Sequence, residues 1–242
     1  MIPNFIINII VFFISISPFT LTGALLDVKI SESWMQTVDK YNSKQKQEFI
    51  LGVLMNNIQF LDEIPILRET EKNVSLKQIF STDDPFEAGS RFFHYIAEKR
   101  EKTLQKWGVE EMIGVIPKNH LKVFISFLED EVIYSKLLSG KASSYLSGIS
   151  EGEILTGVRV EKLAIWHGVL YKFFSEKPSS SIMSLQKDKR LNFPISEESV
   201  QFWKTALIFY SQNKKIIEYV MDLQEEFEKA YEIFSLKHLN SR

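Results

Sequence analysis

The apolar positions along this chain follow two regimes. Up to Leu26 the side chains are apolar or weakly polar without a break, densest from Phe5 to Ile14, and the first charged residue is Asp27. Beyond Asp27, apolar residues recur three and four positions apart, in runs separated by polar stretches. That spacing places them on one face of an α-helix.

Local start and stop signals divide the second regime. Ser33-Trp34-Met35-Gln36 has the spacing of a capping box, in which two side chains satisfy orphan backbone N–H groups reciprocally. Phe49, Ile50, Val53, Leu54, Ile58 and Leu61 then recur at helical spacing until Pro65. Ser75-Leu76-Lys77-Gln78 repeats the box for a short helix through Phe80. At Asp84-Pro85-Phe86-Glu87 a cap precedes a proline whose missing N–H costs nothing in the first turn. That helix is expected to run to Trp107 and stop at Gly108, burying Phe86, Gly89, Phe93, Ile96, Ala97, Leu104 and Trp107. Asn119 is the expected cap of the next helix, with Leu121, Phe124, Ile125, Leu128, Val132 and Leu138 inward and Gly140 as its stop.

The second half reads less evenly. Lys141 to Ser150 is rich in Ser and Gly and predicts a loop with one turn at Tyr145-Leu146. Ser150-Glu151-Gly152-Glu153 opens a helix through Phe174, weakened at Gly157 and Gly168, with a strand at Val158-Arg159-Val160 as the alternative. Residues 175–195 have no apolar period and read as a long loop. From Ser196 a stripe of Trp203, Leu207, Tyr210, Ile217, Val220, Leu223, Phe227, Tyr231 and Phe234 runs to the end, with a kink expected at Ser211 to Asn213.

These elements predict an all-α fold. It is an irregular multi-helix bundle of about six or seven helices after an N-terminal signal peptide, ending in a long C-terminal amphipathic helix. Residues 1–24 form the signal peptide and residues 25–242 a single helical domain with its long loop at 175–195.

The leader sets the expected compartment. A dense apolar core shorter than the roughly 20 residues of a membrane span, a proline at Pro18 and small residues at Thr22 and Ala24 predict export with cleavage after Ala24. The n-region carries no Lys or Arg, so the alternative is an uncleaved anchor over residues 1–26. The chain has no cysteine, which excludes thiol catalysis, thiolate metal sites and a lipid anchor through cysteine. Lack of disulfides in an exported chain points to a bacterial periplasm or surface. Asn73-Val74-Ser75 is a glycosylation sequon, with Ser75 better explained as a helix cap.

Composition removes further classes. Net charge is −2, from 29 Lys and Arg against 31 Asp and Glu, so there is no electrostatic footprint for nucleic acid. The chain contains 19 Phe, which makes an aromatic-packed core the first reading and an apolar ligand cavity the sharper one. Phe92, Phe93, Phe124, Phe127, Trp166 and Phe173 are the residues that would line such a cavity. No phosphate loop, dinucleotide fingerprint, nucleophile elbow, His-Glu-x-x-His or Glu-x-x-His occurs, so no metal or other cofactor is expected.

The polar candidates are few. His94 and Glu98 lie one helical turn apart, and His167 sits beside Trp166 on an apolar helix. Either histidine would need a carboxylate from another segment to do acid–base work. His120 and His238 are isolated. Glu110-Glu111 and Glu129-Asp130-Glu131 read as solvated faces, because neighbours on one helix point in different directions.

Three functions remain. The first is an exported, non-catalytic binding protein for an apolar small molecule or a protein partner. The second is an envelope assembly protein acting through Ile217, Phe227 and Phe234 of the C-terminal helix. The third is a hydrolase or lyase with a dispersed site at His94, Glu98 or His167. Contact with a membrane is expected only through the N-terminal segment, if uncleaved.

Overall fold

A computed structural model describes residues 24–37, 41–58, 74–134, 139–191 and 195–239. The dense part of the leader, Asn73, Pro65 and Leu138 lie outside them, as does the side chain of His238. Twelve α-helices occur among the described residues: α1 Ala24–Thr37, α2 Ser43–Met55, α3 Leu76–Ile79, α4 Pro85–Trp107, α5 Val109–Met112, α6 Leu121–Ile133, α7 Ser139–Ser144, α8 Glu151–Leu155, α9 Val160–Ser175, α10 Pro178–Gln186, α11 Glu197–Tyr210 and α12 Lys214–Leu239. None is long and apolar enough to cross a membrane.

The protein is thus mostly helical with bundle-like packing, as expected, but the helices are shorter and more numerous than the periodicity alone indicates. Several local signals act where expected. Ser75 and Ser150 close capping boxes with Gln78 and Glu153. Asp84 accepts the N–H groups of Phe86 and Glu87, and Gly108 stops α4 in the left-handed region at φ 58°. A further capping box joins Asn42 and Gln45 at the start of α2.

Other expectations are corrected. Ser33 does not start a helix. It lies inside α1, where its hydroxyl donates back to the Lys29 carbonyl, because the apolar residues from Ala24 to Ile30 already pack as helix. Asn119 is replaced as a start by a 3₁₀ turn, Lys118–His120, that feeds directly into α6. The run from Ser150 to Phe174 is two helices, since Gly157 turns the chain at φ 79° and separates α8 from α9. No strand forms at Val158-Arg159-Val160: Val160 opens α9. The segment 139–144, expected to be mostly loop, is α7, and the expected turn at Tyr145-Leu146 follows it. The segment 175–195, expected to be a long loop, contains α10. The C-terminal run does break where its kink is expected, at Ser211 to Asn213, and is two helices, α11 and α12.

The core is organised around α6. Every residue from Val123 to Ile133 is buried, so this helix has no solvated face. α1, α10, α11 and α12 pack around it. On the other side α2 and α4 form the tightest helix pair, with α8 and α3 against them. Gly52 of α2 faces the Phe86 carbonyl of α4, and Gly89 of α4 faces the Phe49 carbonyl of α2. A Cβ on either glycine would sit 2.1 or 1.9 Å from that oxygen. The two backbones therefore touch through a reciprocal pair of glycines. On α4, Phe92, Ile96 and Arg100 are buried, while Phe93 is only half-buried.

Candidate functional site

The six aromatic residues expected to line a ligand cavity are placed in two groups. Phe92 meets Trp34 and Phe49 at ring distances of 5.0 and 5.4 Å. Phe124 meets Trp203 edge-on at 5.3 Å, and Phe127 meets Phe173 edge-on at 5.6 Å. These rings and Trp166 are fully buried within one apolar core. Phe93 lies outside the first group, edge-on to the His94 ring. The rings fill space against one another in the geometry that aromatic quadrupoles favour.

The partner-helix candidates are likewise drawn inward. Phe227 is buried against Phe92 and Tyr95. Ile217 packs against the same core, and Phe234 meets Phe80 at 5.5 Å.

The polar candidates separate. Glu98 is engaged by Lys102 on its own helix at 2.5 Å. Burial lowers the pKa of His94. His167 does meet a carboxylate from another element: its Nε2 lies 2.6 Å from Oε1 of Glu153. The other oxygen of Glu153 accepts the Ser150 N–H and closes the capping box of α8. Both residues are buried, so the pair fastens α8 to α9 from inside and offers no face to a substrate.

The acidic triplet on α6 carries the polar organisation that sequence reasoning missed. Glu129, Asp130 and Glu131 are buried, not solvated. Successive residues on a helix do point in different directions. On a helix wrapped on all sides, each direction meets a different neighbour. Glu129 takes the Arg100 guanidinium of α4 at 2.8 Å and the Tyr219 hydroxyl of α12. Asp130 accepts the N–H groups of Leu25 at 3.2 Å and Leu26 at 2.9 Å, capping α1 from across the core. Glu131 accepts the Ser179 N–H at 2.8 Å and its hydroxyl at 2.9 Å, capping α10. Arg100 also holds Asp27 of α1 at 2.6 Å.

Burial dominates the electrostatics here. It pushes the Asp27 and Glu129 carboxyls above their ordinary range, against the pull of Arg100. It pushes Asp130 further up, opposed by the two N–H donors and reinforced by the charges of Asp27 and Glu129. Burial acts on Arg100 in the opposite sense, yet Asp27 and Glu129 keep its pKa above the ordinary value. Among the described residues no group of His, Asp and Glu could hold a metal ion. This is a structural hub, with each carboxylate tied to a named donor.

The Glu131 link gives a direct check. Glu131→Ala leaves the Ser179 N–H and hydroxyl without their acceptor in a buried site. The expected loss is about 1–3 kcal/mol by urea denaturation, with helicity lost around α10. An unchanged midpoint would show that α10 holds without this cap.

The surface offers a different kind of site. A cleft of about 520 Å³ lies at the α11–α12 corner, lined in part by Val132, Ile208 and Ile217 over the polar groups of Glu131, Lys177 and Ser179. On α11, Val200, Trp203, Ala206 and Leu207 are buried, whereas Phe202, Ile208 and Phe209 are 48%, 43% and 68% exposed. This helix is apolar on both sides, and periodicity read as one stripe reports only the inner one.

Comparison of the chain with protein-family models, with curated proteins and with solved structures gives no match in any of the three.

Proposed function

We propose that the protein is an exported, non-catalytic helical binding protein, and that its ligand is a protein partner docked at the α11–α12 corner. The observation that carries this reading is α11: Phe202 and Phe209, seven positions apart on one face, are exposed, and Ile208 on its flank lines the cleft. Large exposed aromatic side chains next to a concavity are what protein interfaces use as anchors. The polar floor of the cleft would fix orientation, while Phe209 supplies the buried area. An enclosed apolar small molecule fits less well, because the core aromatic residues pack against one another. An acid–base enzyme fits less well too, because the His167–Glu153 pair is buried and committed to the α8 cap. Export is supported by the uncharged stretch up to Leu26, with small residues at Thr22 and Ala24.

A photo-crosslinking residue at Phe209, in protein expressed in its own host, is expected to trap one discrete polypeptide. The same residue at Val115, exposed elsewhere on the surface, should not trap it. In the chain that carries the crosslinker at 209, Phe202→Glu with Ile208→Glu, both at exposed positions, should abolish the adduct and leave the unfolding free energy within about 0.5 kcal/mol, as surface substitutions do. Equal trapping at both positions, or an adduct that survives the two glutamates, would overturn the reading.

A further inference from the structure

We propose that hydrolysis of the Ala24–Leu25 peptide bond during export delivers the new α-ammonium of Leu25 into a buried ion pair with Asp130, and that this pair completes the charge balance of the core. The proposal rests on the export reading above and adds what processing does to the fold.

Two independent observations meet at one nitrogen. From the sequence, Thr22 and Ala24 place the cleavage immediately before Leu25. In the structure, the Leu25 nitrogen lies 3.2 Å from Oδ2 of Asp130, and both residues are 0% exposed. The Leu26 N–H occupies the other oxygen at 2.9 Å. The bond whose hydrolysis creates the new terminus is thus the one that ends on this carboxylate's donor.

The surrounding charges give the ammonium a role. Asp27, Glu129 and Asp130 are buried together with one guanidinium, that of Arg100. Among the described residues Asp27 Oδ2 has no hydrogen-bond partner. One guanidinium serves three buried acids, it contacts only Asp27 and Glu129, and a buried carboxylate without a counter-charge is costly. A neutral peptide N–H at Leu25 does not address it, whereas an ammonium adds one full charge and two further donor hydrogens.

The chemistry needs only water and a peptidase of the export machinery. Water adds across the C–N bond. The Ala24 carbonyl carbon keeps the oxygen and leaves with the leader as a carboxylate, and the Leu25 nitrogen becomes –NH₃⁺. Since Ala24 and Leu25 are both buried in the folded chain, cleavage must precede folding, as it does for a chain in transit. The unprocessed chain is then the less stable one, and the native state is secured only after export.

The test uses three readouts. First, the N-terminus of the protein recovered from the extracytoplasmic fraction of its host is sequenced, and Leu25 is expected. Second, chains beginning at Leu25 and at Thr22 are prepared from a fusion that leaves no extra residue. The Leu25 chain should melt higher by roughly 5 °C or more, and the difference should vanish when both carry Asp130→Asn. Third, the α-amine of the folded Leu25 chain should resist acylation by an N-hydroxysuccinimide ester, while that of the Thr22 chain reacts freely. This last readout stands even if Asp130→Asn fails to fold. A chain that keeps its leader in the host sinks the export reading and the proposal with it. A mature chain that begins at Leu25 but shows neither the melting difference nor the protection leaves export standing and overturns the ion pair.

Discussion

Arg100→Met is expected to be the most damaging single substitution in the core, with a loss of about 3–5 kcal/mol at neutral pH in urea denaturation. Methionine fills similar volume and is a good helix former, so neither packing nor propensity accounts for that loss. It comes from stranding Asp27 and Glu129, which Arg100 contacts at 2.6 and 2.8 Å, in a site almost without solvent. The defect should depend on pH with a defined sign. Burial already raises both carboxyls, and removing the guanidinium raises them further. An acid whose folded pKa is raised favours the fold below its unfolded pKa, roughly 4, and loses that contribution as pH rises through the folded value. The Arg100→Met defect should therefore be smallest near pH 4 and reach its full size toward neutral pH. A loss below about 1 kcal/mol, or a defect that grows on acidification, would show that Arg100 is not the counter-ion of this pair.

Gly89→Ala is the second large effect, and its sign separates two arguments. Helix propensity alone predicts a gain of about 1 kcal/mol, because Gly89 lies inside α4. Packing predicts the reverse. The new methyl would stand 1.9 Å from the Phe49 carbonyl oxygen, a backbone atom that cannot rotate away. Pushing α2 from α4 would also separate Phe49 from Phe92, whose rings meet at 5.4 Å. A net loss of about 3 kcal/mol is expected. Gly52→Ala should behave alike, since its methyl would meet the Phe86 carbonyl at 2.1 Å. The double variant should lose less than the sum, because the helices are already apart after the first change. A Gly89→Ala protein as stable as the parent would mean that the two helices are not in backbone contact.

What the sequence disclosed, and what it withheld, follows from where each signal resides. Ser75, Asp84, Gly108 and Ser150 act on residues within a turn of themselves, and each was readable by spacing. α10 was not, because its N-terminal donor Ser179 is satisfied by Glu131, 48 positions away. No local pattern reports a cap supplied by another helix. Glu129, Asp130 and Glu131 misled for the same reason. Adjacent charges normally mark a solvated face, but here α6 is surrounded and each carboxylate serves a different helix: α4 and α12, α1, and α10. Arg100 and Asp27 carry no mark in the sequence that sets them apart from surface charges. The stripe from Trp203 to Phe234 is legible and lies on the core side, whereas Phe202 and Phe209 fall outside it and are exposed. They are the residues that the functional reading now rests on.

The most direct test is a native mass spectrum of the protein isolated from its own host, compared with its Phe202→Glu, Phe209→Glu variant. The account predicts a chain that has lost the leader and travels with a second polypeptide, and a variant of the same processed mass that travels alone. A parent chain carrying a small apolar molecule in both forms, or a parent without any second polypeptide, would contradict it.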